Sequence, residues 1–275
     1  MRYHRANPAI YYMIGAAAAG IFVLWSVVSV TKSISASWRA KKEAETAKTA
    51  AVSSVVESEE EEETEPWMLT LVNKDHKLPD GYTRKLDFTK LRGDVWVDER
   101  MYPDLQQMMD DCRAAGLKPV VISGYRTIAY QEKLFNTEVR KYMRLGYPEE
   151  GAILEAEKLQ AHPGYSEHHL ALAVDILPES NQYPTQDQEN AEEIKWLMAH
   201  CDEYGFILRY PMDKESVTGI NYEPWHYRYV GKKAAKYITK HKMCLEEYVD
   251  MLEKEAGQTS SAAGTTETTA VAAVG

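Results

Sequence analysis

Cysteine is scarce in this chain, with three among 275 residues. Cys112, Cys201 and Cys244 cannot all pair with one another, and none stands in C-x-x-C spacing, which argues against a cysteine zinc site or a redox motif. Each falls in a helix-like stretch with apolar neighbours at helical spacing, the pattern of a buried free thiol. Positive charge is short as well: 32 Lys and Arg stand against 42 Asp and Glu, a net charge of −10, and the pI is about 5.4. Phosphate backbones call for a basic face, so no nucleic-acid partner is expected. There is no internal repeat.

Apolar residues are not lacking. They make up 44% of the chain, with six Trp and eighteen Tyr, ample for a packed core. One long uncharged run, "AIYYMIGAAAAGIFVLWSVVSV" from Ala9 to Val30, would reach roughly 33 Å as a helix, enough to span a bilayer. An uncleaved transmembrane anchor is the expectation. A cleaved signal peptide is the alternative, with Ser33-Ile34-Ser35 as its candidate cleavage site. Arg2 and Arg5 precede the run, while Lys32, Arg39, Lys41 and Lys42 follow it, so charge alone does not orient it. Residues 31–65 form an acidic linker, with "VESEEEEETEP" extended by its own repulsion. Residues 256–275 are a low-complexity stretch with no core-forming pattern, expected to be disordered. Between them, residues 66–255 make one domain.

Within that domain Leu105, Met108, Met109, Cys112 and Ala115 recur at helical spacing, and Gly116 is placed to end the helix. "LKPVVIS" reads as a short strand, and Thr127 as the N-cap of a helix closed by Gly146. Further helices are expected over about 149–160, around Ile194 to Tyr204, and over about 234–255. "LALAVDI", "FILRY" and "WHYRYV" read as strands. Helices and strands mix without regular β-α-β repetition, which predicts an α+β domain with a small, largely antiparallel sheet.

The chemistry concentrates in "GYSEHHLALAVDI", Gly164 to Ile176, which sets two histidines and an aspartate inside an apolar stretch. His168 and His169 are adjacent, so in extended chain they face opposite ways. Asp175 can meet His168 if a turn follows His168 and the chain returns as a strand. "YEPWHYRYVG" supplies a third candidate in His226, with Glu223 three residues earlier. Pro224 disfavours helix at Glu223, so this is not a helical H-E-x-x-H site. Two histidines and one carboxylate suit zinc with a fourth position left for water, and a nearby free Glu can take a proton from that water. The plainer alternative is a hydrogen-bonded buried histidine and an aspartate capping a turn. His169 is expected at a groove wall or in solvent.

"SGYRT" (Ser123 to Thr127), "HPGYSEHHLALAVDI" (His162 to Ile176), "GFILRYPMDKESVTGINYEPWHYRYVG" (Gly205 to Gly231) and "LVNKDHKLPDGY" (Leu71 to Tyr82) together resemble the VanY-type D-alanyl-D-alanine carboxypeptidases. The resemblance implies the Hedgehog/DD-peptidase-like fold and one zinc ion per domain. Its S-x-H-x-x-G-x-A-x-D motif falls on Ser166, His168, Ala173 and Asp175, which makes His168, Asp175 and His226 the implied metal ligands. Glu223 becomes the implied general base and Arg126 the residue facing the reacting carbonyl. Ser123, Gln131 and Ser166 are implied to line the substrate cleft, as donors for a terminal carboxylate. One departure stands out: Ala171 occupies the motif's glycine. If that position needs a positive φ, Ala is strained there; if glycine merely keeps the space small, one methyl is a modest change.

The resemblance implies a zinc D,D-carboxypeptidase that removes the C-terminal D-alanine from peptidoglycan stem peptides, and the uncharged run Ala9 to Val30 is expected to anchor it in the membrane. Its partners are those peptides and the cytoplasmic membrane, through residues 9–30. Residues 1–8 are then cytoplasmic and the catalytic domain lies on the cell-wall side; no oligomeric state is assigned. The alternatives are an L,D-carboxypeptidase acting on stem tetrapeptides and a non-catalytic wall-binding module in which zinc is structural and Glu223 a fourth ligand.

Overall fold

The computed structural model describes residues 64–267. The expected span Ala9–Val30 and most of the acidic linker lie outside that range. Among the described residues no helix is long and apolar enough to cross a membrane.

A short antiparallel hairpin, β1 (Phe88–Lys90) and β2 (Trp96–Asp98), precedes the first helix, α1 (Tyr102–Ala114). Next come β3 (Pro119–Ser123), α2 (Ile128–Arg144), α3 (Glu149–Glu157) and β4 (Ala173–Pro178). The chain continues through α4 (Glu192–His200), β5 (Phe206–Leu208), a single turn α5 (Glu215–Thr218) and β6 (His226–Tyr229). Two helices close the domain, α6 (Lys232–His241) and α7 (Leu245–Glu267). The last helix continues past Glu255, so helical backbone extends into the stretch expected as a disordered tail.

Strands β3, β4, β6 and β5 form one sheet in that order, every neighbouring pair antiparallel. The expected α+β architecture with a small antiparallel sheet is therefore what the chain builds. The β1–β2 hairpin was not anticipated; its three-residue strands are too short to show a period. Helices cover both faces of the main sheet. Phe206, Val174, Ile176 and Tyr227 join Met101, Leu105, Met108 and Leu197 in one cluster, while Ile207 and Val230 join Ala234, Ile238, Leu245 and Tyr248 in another. With both faces covered, β4 is buried at all six positions, which is why its alternation is weak in the sequence.

The helix stops behave as expected. Thr127 accepts a hydrogen bond from the Tyr130 N–H and caps α2. Gly116, Gly146 and Gly205 take left-handed conformations after their helices. All three cysteines are free and buried, and burial pushes the Cys201 thiol up to about 12.

Candidate active site

Three strands bring the site together. In the antiparallel register Ser123 of β3 stands opposite Asp175 of β4, and Asp175 opposite His226 of β6. Directly opposed residues project to the same face of a sheet, so these three side chains form a row. His168 arrives from a 3-10 turn, Glu167–Leu170, that ends at Ala171 and feeds straight into β4. This is the turn and returning strand that H-x6-D requires. Ala171 sits at φ 61°, in the left-handed region, and is fully buried.

His168, Asp175 and His226 offer ligand atoms that all lie within 4.8 Å of one another, and all three residues are buried. The facing atoms are His168 Nε2, 3.4 Å from Asp175 Oδ2, and His226 Nδ1, 3.1 Å from Asp175 Oδ1. Despite that approach, Asp175 Oδ1 has no hydrogen-bond partner. A buried carboxylate oxygen and two imidazole nitrogens converging without hydrogen bonds to satisfy the oxygen is a donor set that fits zinc. Glu223 Oε2 lies 3.7 Å from His226 Nδ1, beside this group rather than within it.

Electrostatics separate the roles. Burial, with the Arg126 charge, pushes His168 down to about 4, so it is neutral at neutral pH. Burial also works to raise Asp175, but His168 and Arg126 outweigh it and hold the carboxyl well below the usual range. Burial, helped by the Asp175 charge and opposed by His226 and Arg126, lifts Glu223 to about 8, placing it within reach of proton transfer near neutrality. Burial lowers His226, yet Asp175 and Glu167 prevail and carry it to about 9.

Arg126 is firmly held. Its Nε and Nη2 donate to Ser123 Oγ at 3.0 and 2.9 Å, and Nη2 donates to Asp175 Oδ2 at 2.7 Å. Its backbone N–H donates to the His168 carbonyl at 3.1 Å. Arg126, Gln131, Ser166, His168, Asp175, Tyr210, Glu223, Trp225 and His226 line one cleft of about 230 Å³. A larger depression, about 660 Å³, runs between β3, α1 and the β1–β2 hairpin and contains none of them.

Two expected cleft donors act differently. Gln131 gives both amide protons to the protein, to Gln160 Oε1 at 3.2 Å and the Ala161 carbonyl at 2.9 Å, and its Oε1 lies 3.5 Å from Arg126 Nη1. Ser123 receives the guanidinium. Both therefore support Arg126; Gln131 also lines the cleft, as Ser166 does. The expectation for His169 is corrected: it is 1% exposed, facing neither solvent nor the cleft. Its Nδ1–H donates to the Arg126 carbonyl at 2.7 Å and its Nε2 accepts from the Gly164 N–H at 3.1 Å. A neutral imidazole can do both at once, so His169 ties the Gly164 loop to the Arg126 backbone.

Sequence reasoning missed Gly124, Glu167, Arg209 and Arg228. A Cβ on Gly124 would meet the Trp96 carbonyl oxygen at 2.4 Å, and the Gly124 carbonyl accepts from His168 Nδ1–H at 2.7 Å. Glu167, Arg209 and Arg228 form a buried ion cluster behind His226. An arginine in the middle of each of two aromatic strands, "FILRY" and "WHYRYV", was the available signal, since a charge there must be paired.

The family model described as VanY, D-alanyl-D-alanine carboxypeptidase, matches residues 94–232. A D-alanyl-D-alanine carboxypeptidase of Enterococcus faecalis (strain ATCC 700802 / V583) is 41% identical over 193 residues, 70% of this chain and 69% of that protein. Among solved structures, a mutant of the vancomycin-resistance D,D-pentapeptidase VanY in complex with Zn(II) aligns with a TM-score of 0.61 at 40% identity, covering 66% of this chain and 99% of that one. The LdcB LD-carboxypeptidase aligns with a TM-score of 0.56 at 34% identity, covering 66% and 86%.

Proposed function

The chain belongs to the VanY family of D-alanyl-D-alanine carboxypeptidases, and from that premise we propose that it is a membrane-anchored zinc D,D-carboxypeptidase trimming peptidoglycan stem peptides. The observation that carries the zinc assignment is the buried His168–Asp175–His226 group, with Asp175 Oδ1 left unpaired beside His226. His168 Nε2, Asp175 and His226 Nδ1 are the atoms that would hold the ion. When bound, zinc supplies a Lewis acid and lowers the pKa of a water molecule.

The remaining steps belong to the chain's own residues. Glu223 takes a proton on its carboxylate as water attacks the scissile carbonyl, then passes it to the departing amine of D-alanine. Burial that raises Glu223 makes it basic enough to accept the proton and acidic enough to return it. Arg126, fixed by Ser123 and supported by Gln131, sets a permanent positive charge where the carbonyl oxygen becomes negative. Ser166 contacts the substrate along the cleft wall. A closed structural zinc site needs four protein ligands; with Glu223 outside the ligand group, the wall-binding alternative loses its fourth.

Membrane anchoring rests on the uncharged run Ala9–Val30. Peptidoglycan lies outside the cytoplasmic membrane, so the catalytic domain belongs on that side, with the acidic linker as its stalk. The likeness to LdcB supports a second reading, L,D-carboxypeptidase action on tetrapeptides.

One experiment separates these. The purified protein is incubated with a pentapeptide ending in D-Ala-D-Ala and, separately, a tetrapeptide ending in one D-Ala, and released alanine is followed by mass. Release from the pentapeptide alone is expected; release from the tetrapeptide alone moves the protein to the L,D group. Glu223→Ala is expected to keep zinc and lose turnover. Full turnover in that variant removes Glu223 from the mechanism.

A further inference from the structure

His226 reaches the ligand group through Nδ1, and its other ring nitrogen has no role in the chemistry above. Nε2 is buried and has no hydrogen-bond partner among the described residues. What it meets, at 3.6 Å, is Oε2 of Glu167, which is also buried and also without a partner. The opposite oxygen of Glu167 is fully engaged: Oε1 accepts from Arg209 Nε and from Arg228 Nη1, each at 2.7 Å.

Those two arginines are pinned in turn. Arg209 forks onto Glu246 of α7 at 2.9 and 2.6 Å, and Glu246 also accepts from Asn73. Arg228 donates to the backbone carbonyls of Met68, Thr70 and Tyr229. Arg209 just after β5 and Arg228 of β6, themselves held by α7 and the segment before β1, therefore fix the Glu167 carboxylate, and its unused oxygen is left facing His226.

We propose that Glu167 is the positioning residue for His226: Oε2 accepts the Nε2–H, which leaves the Nδ1 lone pair bare toward Asp175 and the metal. This inference rests on the assignment of His226 as a ligand. A neutral imidazole carries one N–H, and the hydrogen bond made by one nitrogen decides the state of the other. His168 is set by the same logic, with Nδ1 on the Gly124 carbonyl and Nε2 free for the metal. At 3.6 Å the His226 and Glu167 atoms stand just beyond hydrogen-bond range, and neither has another partner among the described residues.

Glu167→Gln tests this because it preserves shape while reversing one polarity. Arginine can only donate, so the new amide must turn its oxygen toward Arg209 and Arg228 and its NH2 toward His226. That NH2 donates to Nε2, which drives the ring proton to Nδ1 and blocks the metal-facing nitrogen. Zinc affinity of the full-length protein, measured by competition with a chromophoric chelator, is expected to fall about 10- to 100-fold. Glu246→Gln is the control. It weakens the same ion cluster through Arg209 but leaves the partner of His226 in place, so it lowers thermal stability without changing zinc affinity.

Wild-type zinc affinity in Glu167→Gln, or an equal loss in Glu246→Gln, makes Glu167 a core ion-pair partner only and overturns the proposal. If Glu167→Gln does not fold, the wild type decides. In zinc-loaded full-length protein with 15N-labelled histidine, the His226 proton is expected on Nε2 and the metal on Nδ1; the reverse overturns the proposal. Undiminished zinc binding in His226→Ala would instead remove the ligand assignment itself, and the inference with it.

Discussion

Ala171 poses a quantitative question, because it holds a left-handed conformation at φ 61° in the turn between His168 and β4. Replacing it by glycine changes three things. Relief of left-handed strain favours the variant by about 1–2 kcal/mol. The fully buried methyl is lost, which disfavours it by about 0.8 kcal/mol. The unfolded chain gains freedom, a further penalty of about 0.4–1 kcal/mol. These contributions cancel to within about 1 kcal/mol of zero. Ala171→Gly is thus expected to leave the urea midpoint nearly unchanged, with zinc content and turnover intact, because Ala already makes the turn that glycine would make. Ala171→Val is the contrasting case. A β-branched side chain at positive φ in a fully packed position is expected to lose about 2–5 kcal/mol. Equilibrium urea denaturation of the purified variants provides the measurement. A gain above about 2 kcal/mol in the glycine variant would show that strain dominates, and a tenfold rise in turnover would show that Ala171 had been distorting the site. Either result would refute the cancellation.

The other expectations follow from contacts at the site. Arg126→Lys gives up the two-nitrogen grip on Ser123, so kcat is expected to fall about 100- to 1,000-fold with zinc content unchanged; unaltered kcat would exclude a role for the guanidinium. Gly124→Ala puts a methyl 2.4 Å from the Trp96 carbonyl oxygen, a backbone atom. It is expected to cost about 1–3 kcal/mol or more in stability and to weaken zinc binding by displacing the carbonyl that orients His168. A variant as stable as wild type would show that the hairpin yields freely. In zinc-free protein, Glu223 (raised to about 8) and His226 (raised to about 9) hold their protons longer folded than unfolded. Their contribution is complete below the unfolded values and is lost as pH rises through the folded ones, so thermal stability with chelator should decline with rising pH, from about pH 4.5 for Glu223 and about pH 6.5 for His226, up to about pH 9. His168, lowered to about 4, acts oppositely: its contribution is present above its unfolded value and is lost as pH falls through about 4. Zinc needs its ligand His226 deprotonated, so the metal-loaded protein should lose less stability on the alkaline side; a flat alkaline profile without zinc would contradict the assigned shifts.

Much of this protein is legible in one dimension because the relevant physics is local. Thr127 caps α2 and Gly116 ends α1 through groups a few residues away. His168 and Asp175 belong to one turn and the strand that follows, and His226 and Glu223 to another short stretch. Residue chemistry alone therefore pointed to the donor set. What the sequence could not decide is which side chains face one another across strands. The β3–β4–β6 register that lines up Ser123, Asp175 and His226 depends on long-range pairing. The same holds for the hydrogen bonds that tie Ser123, Gln131 and His169 to Arg126. Glu167 is the sharpest case, since its neighbours Arg209, Arg228 and His226 arrive from segments dozens of residues away. A charge in an apolar strand announces that it must be paired, but only the packed structure determines with what, because burial, not sequence proximity, makes that pairing obligatory.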